Sequence, residues 1–160
     1  ENHFPYPKAT AHLYEGMTMP LPKLNDPAIF KSHPEFMQKS MHNDRFKWRW
    51  DTPEKYQHNM RNYLRMASGV DHAVGRVLSS LKEKGFDKNT LVIYSADNGY
   101  YAGDRGFAGK WTHYEQSLRV PLIIFDPLQG KYIHTFVVKN PALILSNDTS
   151  SNRILSGRNT

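Results

Sequence analysis

The sequence predicts an α/β layer fold, and three features carry that prediction. One amphipathic helical period runs through residues 52–84. Two continuous apolar, β-prone runs follow it, at residues 90–95 and 120–125. A glycine-rich loop and a short helical turn separate those runs. Helix, strand, loop, short helix and strand in succession argue for a layered α/β arrangement. Fully apolar strands suit a sheet covered on both faces, so the expectation is a mostly parallel sheet flanked by helices.

Residues 1–50 are rich in proline, histidine and aromatic side chains. Pro5, Pro7, Pro20, Pro22, Pro27 and Pro34 interrupt any long helical period. The region reads as extended loop with short turns. Its apolar residues, among them Phe4, Tyr6, Leu13, Tyr14, Met17, Met19 and Leu21, predict a segment that wraps a surface. Within it, Arg45-Phe46-Lys47-Trp48-Arg49-Trp50 alternates cations with aromatics. Such a mix can bind single-stranded nucleic acid. In a strand, however, the alternation puts aromatics on one face and cations on the other, which suits an amphipathic covering strand better.

The helix at 52–84 has start and stop signals. Asp51 or Thr52 can cap it, Pro53 fits the first turn, and Glu54 favours the positive helix end. Tyr56, Met60, Tyr63, Leu64, Ala67, Val70, Val74, Val77, Leu78 and Leu81 form one stripe at spacings of three and four. Lys82, Lys84 and Gly85 mark the end. At about 1.5 Å per residue the helix approaches about 50 Å. Gly69 and Gly75 mark bends or close packing within it.

The first apolar strand ends at Ala96-Asp97-Asn98-Gly99. Asn-Gly is a common tight-turn pair. Yet in an open α/β sheet, ligands sit beyond the carboxyl ends of strands. There Asp97 offers a carboxylate and Asn98 a carbonyl oxygen, hard donors suited to Ca²⁺ or Mg²⁺. Lys110 closes the glycine-rich loop (Gly103, Gly106, Gly109). That loop can return it to the strand end as a point charge for an anionic group; the plainer alternative is a solvated loop lysine. His113, three residues on, is a secondary candidate for the same pocket. His12, His33, His42, His58 and His72 lack metal-ligand spacing with one another.

Composition narrows the function classes. With 160 residues, the chain fits one domain. Lys and Arg number 21 against 15 Asp and Glu, a net charge of +6 that suits an anionic ligand without demanding one. Cysteine is absent, which excludes disulfides, zinc-thiolate sites and a cysteine nucleophile within these residues. No apolar run approaches the roughly 20 residues of a membrane span. The first residue is Glu and no signal peptide follows, so the expectation is that an N-terminal part precedes these residues. Residues 128–160 change character: Tyr132 to Val138 reads as a strand, Pro141 to Leu145 as a short apolar patch, and the Ser-, Asn- and Thr-rich end as a poorly ordered tail. Asn147-Asp148-Thr149 is a glycosylation sequon on paper.

Several ordered motifs resemble the sulfatase family. The run Asn89-Thr90-Leu91-Val92-Ile93-Tyr94-Ser95-Ala96-Asp97-Asn98-Gly99, then Gly103-Asp104-Arg105-Gly106, then Lys110, then Tyr114-Glu115-Gln116-Ser117-Leu118-Arg119-Val120-Pro121-Leu122-Ile123 follows the family's order and spacing. Arg61-Asn62-Tyr63-Leu64, Val70-Asp71 and Val74-Gly75-Arg76-Val77-Leu78 resemble its long helix, and His3-Phe4-Pro5 its "P-H-x-P" segment. The similarity covers residues 1–127, read as a partial catalytic domain, with 128–160 a divergent tail.

The resemblance implies an alkaline-phosphatase-like α/β fold and hydrolysis of sulfate esters. It implies that Asp97 and Asn98 are two of the Ca²⁺ ligands, with Mg²⁺ the other candidate. It implies that Lys110 holds a sulfate oxygen and that His3 contacts the sulfate or the ester oxygen, assisting the leaving group. Glu115 and Arg119 become a structural pair. The family's nucleophile is a formylglycine made from Cys or Ser in C/S-x-P-x-R; that pattern is not here. Neither are its paired aspartates and Lys-x-His residues. The chain is therefore expected to be an internal piece, inactive alone. The competing expectations are a phosphonate or phosphate monoester hydrolase of the same superfamily, a non-catalytic remnant, and a nucleic-acid-binding module.

Overall fold

A computed structural model describes residues 3–128 and, as backbone, residues 131–138. After a 3₁₀ turn at Lys8–Thr10, the chain forms three short helices: α1 (Pro27–Lys31), α2 (Glu35–Gln38) and α3 (Met41–Arg49). The long helix α4 (Pro53–Glu83) follows, then strand β1 (Val92–Ser95). A loop containing a 3₁₀ turn at Asp104–Gly106 leads to α5 (Glu115–Leu118), β2 (Val120–Asp126) and β3 (Lys131–Val138). The strand expected at Tyr132 to Val138 is present. The predicted tail beyond it, with the 141–145 patch and the sequon, lies outside the described residues.

Helix α4 begins and ends where its signals place it. The Thr52 side chain accepts from the Lys55 N–H, and Gly85 leaves the last turn with φ +72°. Only its N-terminal half is covered. Tyr56, Asn59, Asn62 and Arg65 are buried, whereas Val70, Val77 and Leu78 are exposed. Gly69 is a point of close approach, since a Cβ there would lie 2.8 Å from the Pro7 ring.

The proline-rich segment does wrap a surface, and α4 holds it by its backbone. Gln57 accepts from the Met19 N–H (2.7 Å) and donates to the Met19 carbonyl (2.9 Å). Tyr56 donates to the Pro20 carbonyl (2.9 Å). Arg61 donates to the carbonyls of Tyr14 (3.0 Å) and Met17 (2.9 Å), and Arg65 to that of Leu13 (2.9 Å). Proline-rich backbone has few internal partners, so side-chain donors satisfy its carbonyls. Beneath it Phe4, Met19, Trp50, Tyr56 and Ala108 form one buried cluster.

Two expectations are corrected. Residues 41–49 form a helix, not a loop or an alternating strand. Ser40 caps it by accepting from the His42 N–H at 3.3 Å, and no proline or β-branched residue follows before Trp50. Phe46 and Trp50, four residues apart, consequently both face the core, while Trp48 is exposed. The α/β class holds, but the described strands pair antiparallel, in the order β1-β2-β3, rather than mostly parallel. The register aligns Val92 with Phe125 and Ser95 with Leu122. A parallel pair needs a crossover, usually a long helix. Residues 96–119 supply only a folded loop and the one-turn α5, which reverse the chain.

Candidate active site at the end of strand β1

Asp97, Asn98 and Gly99 leave β1 beside α5. The Gly99 N–H donates to the Ser117 carbonyl at 2.8 Å. A Cβ at Gly99 would collide with the carbonyl oxygens of Gln116 and Arg119, so the position admits only glycine. The loop then doubles back on itself. Tyr101 N–H donates to the Gly109 carbonyl (2.8 Å) and Gly103 N–H to that of Phe107 (3.0 Å). Gly103 and Gly106, at φ +95° and +72°, make the reversal possible. Asp104 fixes its tip, accepting from the Leu24 N–H and from Gln116 Nε2, each at 2.9 Å.

This fold-back returns Lys110 to the strand end. Its Nζ donates to Asn98 Oδ1 at 2.6 Å and lies 3.8 Å from Asp97 Oδ2. The Asp97 side chain is 87% exposed and that of Lys110 36%, so the carboxylate is open to solvent and the ammonium partly so. Asn98 is oriented by its own amide, which donates to the Gly99 carbonyl at 2.8 Å. The structure thus brings together three of the predicted residues, Asp97, Asn98 and Lys110. His113 is exposed and packs its ring on Tyr114, 4.6 Å between centroids. His3 precedes Phe4, whose ring meets Tyr100 edge-on at 6.2 Å, two residues beyond Asn98. The N-terminal segment therefore reaches the neighbourhood of the site. Glu115 and Arg119 form the expected pair at 3.5 Å.

Beneath the loop lies an aromatic cluster. Phe107 is fully buried and contacts Phe30, His33, His42, Tyr101 and Tyr114. His33 Nε2–H donates to the Arg105 carbonyl at 3.4 Å, which leaves Nδ1 to accept from the Tyr114 hydroxyl at 3.1 Å. That arrangement needs a neutral ring. Burial lowers the pKa of His33, with the Arg105 charge in support and the carbonyl opposing. Burial also lowers the pKa of His42; Arg45 adds to the effect and the Lys110 carbonyl opposes it. Burial raises the pKa of the Tyr100 phenol against the nearby Arg49 and Arg45 guanidinium groups.

Sequence reasoning missed the packing of these rings and cations beneath and beside the loop. Arg45 reaches the Trp111 indole, 4.5 Å from its centroid, from one turn of helix α3. The sequence flagged Arg45 and Arg49 within an alternating run of cations and aromatics, but nothing in it showed that Arg45 meets Trp111.

A hard-oxygen donor pair beside a lysine at a strand end suits chemistry on a tetrahedral anion. Among the described residues no three His, Cys, Asp or Glu side chains gather as a metal site. Asp97 and Asn98 are chemically apt for a hard cation but are a minority of the six to eight oxygens that Ca²⁺ takes. No described helix is long and apolar enough to cross a membrane.

Phosphonate monoester hydrolase SpPMH from Silicibacter pomeroyi superposes with a TM-score of 0.63 at 30% identity, covering 76% of this chain and 26% of that one. The fold is that of the alkaline-phosphatase-like α/β class. Similar curated proteins include the N-acetylglucosamine-6-O-sulfatase of Bacteroides thetaiotaomicron, 41% identical over 73 residues, and the arylsulfatase of Volvox carteri, 45% identical over 80. The aligned regions cover 46% and 44% of this chain but only 13% and 12% of those relatives. The sulfatase family model matches residues 1–150, past residue 127 where the motifs end, and the chain belongs to the sulfatase family.

Proposed function

We propose that this chain forms part of a metal-dependent sulfatase that hydrolyses sulfate esters. The observation that carries the reading is the convergence of Lys110 Nζ on Asn98 Oδ1 at 2.6 Å, with Asp97 alongside. Hydrolysis of a sulfate ester develops negative charge on the leaving oxygen and redistributes it over the sulfuryl oxygens. Lys110 holds a sulfate oxygen and opposes that charge. Asp97 and Asn98 hold Ca²⁺, or Mg²⁺ in its place, together with donors from outside the described residues. When bound, the cation adds Lewis-acid polarisation of the sulfate. His3 sits at the leaving oxygen and, as imidazolium, gives it a proton as the S–O bond breaks. A formylglycine, supplied from outside these 160 residues and hydrated to its geminal diol, serves as nucleophile through one hydroxyl. The sulfatase names of the relatives support the ester class.

The test uses the protein that carries this chain and a chromogenic aryl sulfate. A chelator is expected to abolish turnover and added Ca²⁺ to restore it, while Lys110→Ala lowers kcat by about a hundredfold, the effect of one lost oxyanion donor. Turnover indifferent to both changes overturns the reading. A second reading, hydrolysis of phosphonate or phosphate monoesters, is favoured by the likeness to SpPMH. A higher kcat/KM on a phenylphosphonate monoester than on the aryl sulfate would select it.

A further inference from the structure

Trp111 follows Lys110 directly in the chain and is 63% exposed. Its backbone lies in the left-handed region, φ +82°, which a bulky aromatic residue rarely adopts. Core packing does not require this, because the indole is not in the core. Three contacts impose it. The Trp111 N–H donates to Ser117 Oγ at 3.2 Å. The Arg45 guanidinium sits 4.5 Å over the indole. The His42 ring abuts it at 5.7 Å. A cation on one face fixes the ring and leaves its remaining surface to solvent.

Among the described residues Arg45 makes no ion pair, and Arg49 lies one turn further along α3. The Arg49 guanidinium hydrogen-bonds the Tyr100 phenol, although its buried Nε has no partner. Asp97 is the acid that faces Lys110. A strained, exposed, cation-backed aromatic beside a lysine is built to receive something flat and negatively charged.

We propose that Trp111 and Arg45 form a substrate platform beside Lys110, which takes the ring of a sulfate ester bearing a second anionic group. Trp111 stacks on the ring and Arg45 attracts the second charge, so both set specificity rather than perform chemistry. The proposal rests on the sulfatase reading of Lys110. The ring can be a sugar or an aryl group, and the probes separate the two.

The experiment compares glucosamine 2-N,6-O-disulfate, glucosamine 6-sulfate and 4-nitrocatechol sulfate as substrates of the protein carrying this chain. Trp111→Ala is expected to raise KM about tenfold for the ring type it serves while kcat changes less than twofold, and Trp111→Phe to recover most of the loss. Arg45→Ala is expected to raise KM about tenfold for the disulfate and less than threefold for the monosulfate. A tenfold effect confined to 4-nitrocatechol sulfate assigns the platform to aryl esters; one confined to the sugars assigns it to carbohydrate. Unchanged KM in Trp111→Ala, or equal losses on mono- and disulfate in Arg45→Ala, overturns the platform. Lys110→Ala is run alongside: if it retains full turnover, the sulfatase reading fails and the platform with it; if it loses turnover while KM ignores Trp111 and Arg45, only the platform fails.

Discussion

Phe107 and Val77 are both large apolar residues, and the chain treats them oppositely. Phe107 is 0% exposed, enclosed by rings from α1, α3, the glycine loop and the turn before α5. Val77 is 61% exposed, on a stripe of α4 that continues through Val70, Val74, Leu78 and Leu81. Beside Val77, Val70, Val74, Leu78 and Leu81 face Tyr94, Ile123 and Phe125 of the β1–β2 pair across an open apolar groove of about 470 Å³. The two regions show that apolar content establishes a face to be covered, whereas the neighbours decide whether it is covered. The region that is closed off is also the one that shapes the site, because Phe107 anchors the loop that returns Lys110.

Three experiments probe this contrast. The largest effect belongs to Phe107→Ala, expected to cost about 3–5 kcal/mol as a large ring leaves a cavity. A urea midpoint lowered accordingly, with Lys110-dependent turnover lost alongside, would show that core and site are one unit; a near-native midpoint would separate them. A smaller effect is expected from acid. His33 and His42 belong to this closed region and both have lowered pKa values in the folded state. The unfolded chain then binds more protons, so stability is full above about 6.5, the ordinary histidine value, and falls as pH drops toward the folded values. Urea midpoints at pH 7.5 and 5.5 should differ in that sense, and His33→Gln should flatten the slope. The smallest effect belongs to Val77→Lys. On an exposed face it should alter the stability of this chain by less than about 0.5 kcal/mol. A loss of several times that would mean a cover lies over the stripe.

How much of this was legible in the sequence follows the range of the interactions concerned. The limits of α4 rest on Thr52, Pro53 and Gly85, all local, and periodicity reads them well. The return of Lys110 was legible because glycines at 103 and 106 announce a reversal. The helix α3 was hidden by the proline-rich context around it, although Ser40 was its cap in plain view. Strand direction depends on what the intervening chain does in space, which the apolar runs at 90–95 and 120–125 do not record. The roles of Trp111 and Arg45 depend on a left-handed backbone and a helix register meeting across 66 residues of sequence, 45 to 111, and no local pattern carries such a meeting.

The contacts of Gln57, Arg61 and Arg65 end on main-chain atoms of residues 13–19. The course of that strap is thus held largely by the helix through the strap's main chain, alongside anchors such as Met19 and Tyr14. Exchanges of side chain at many strap positions should preserve its course, giving the rim freedom to diversify while its path stays constant.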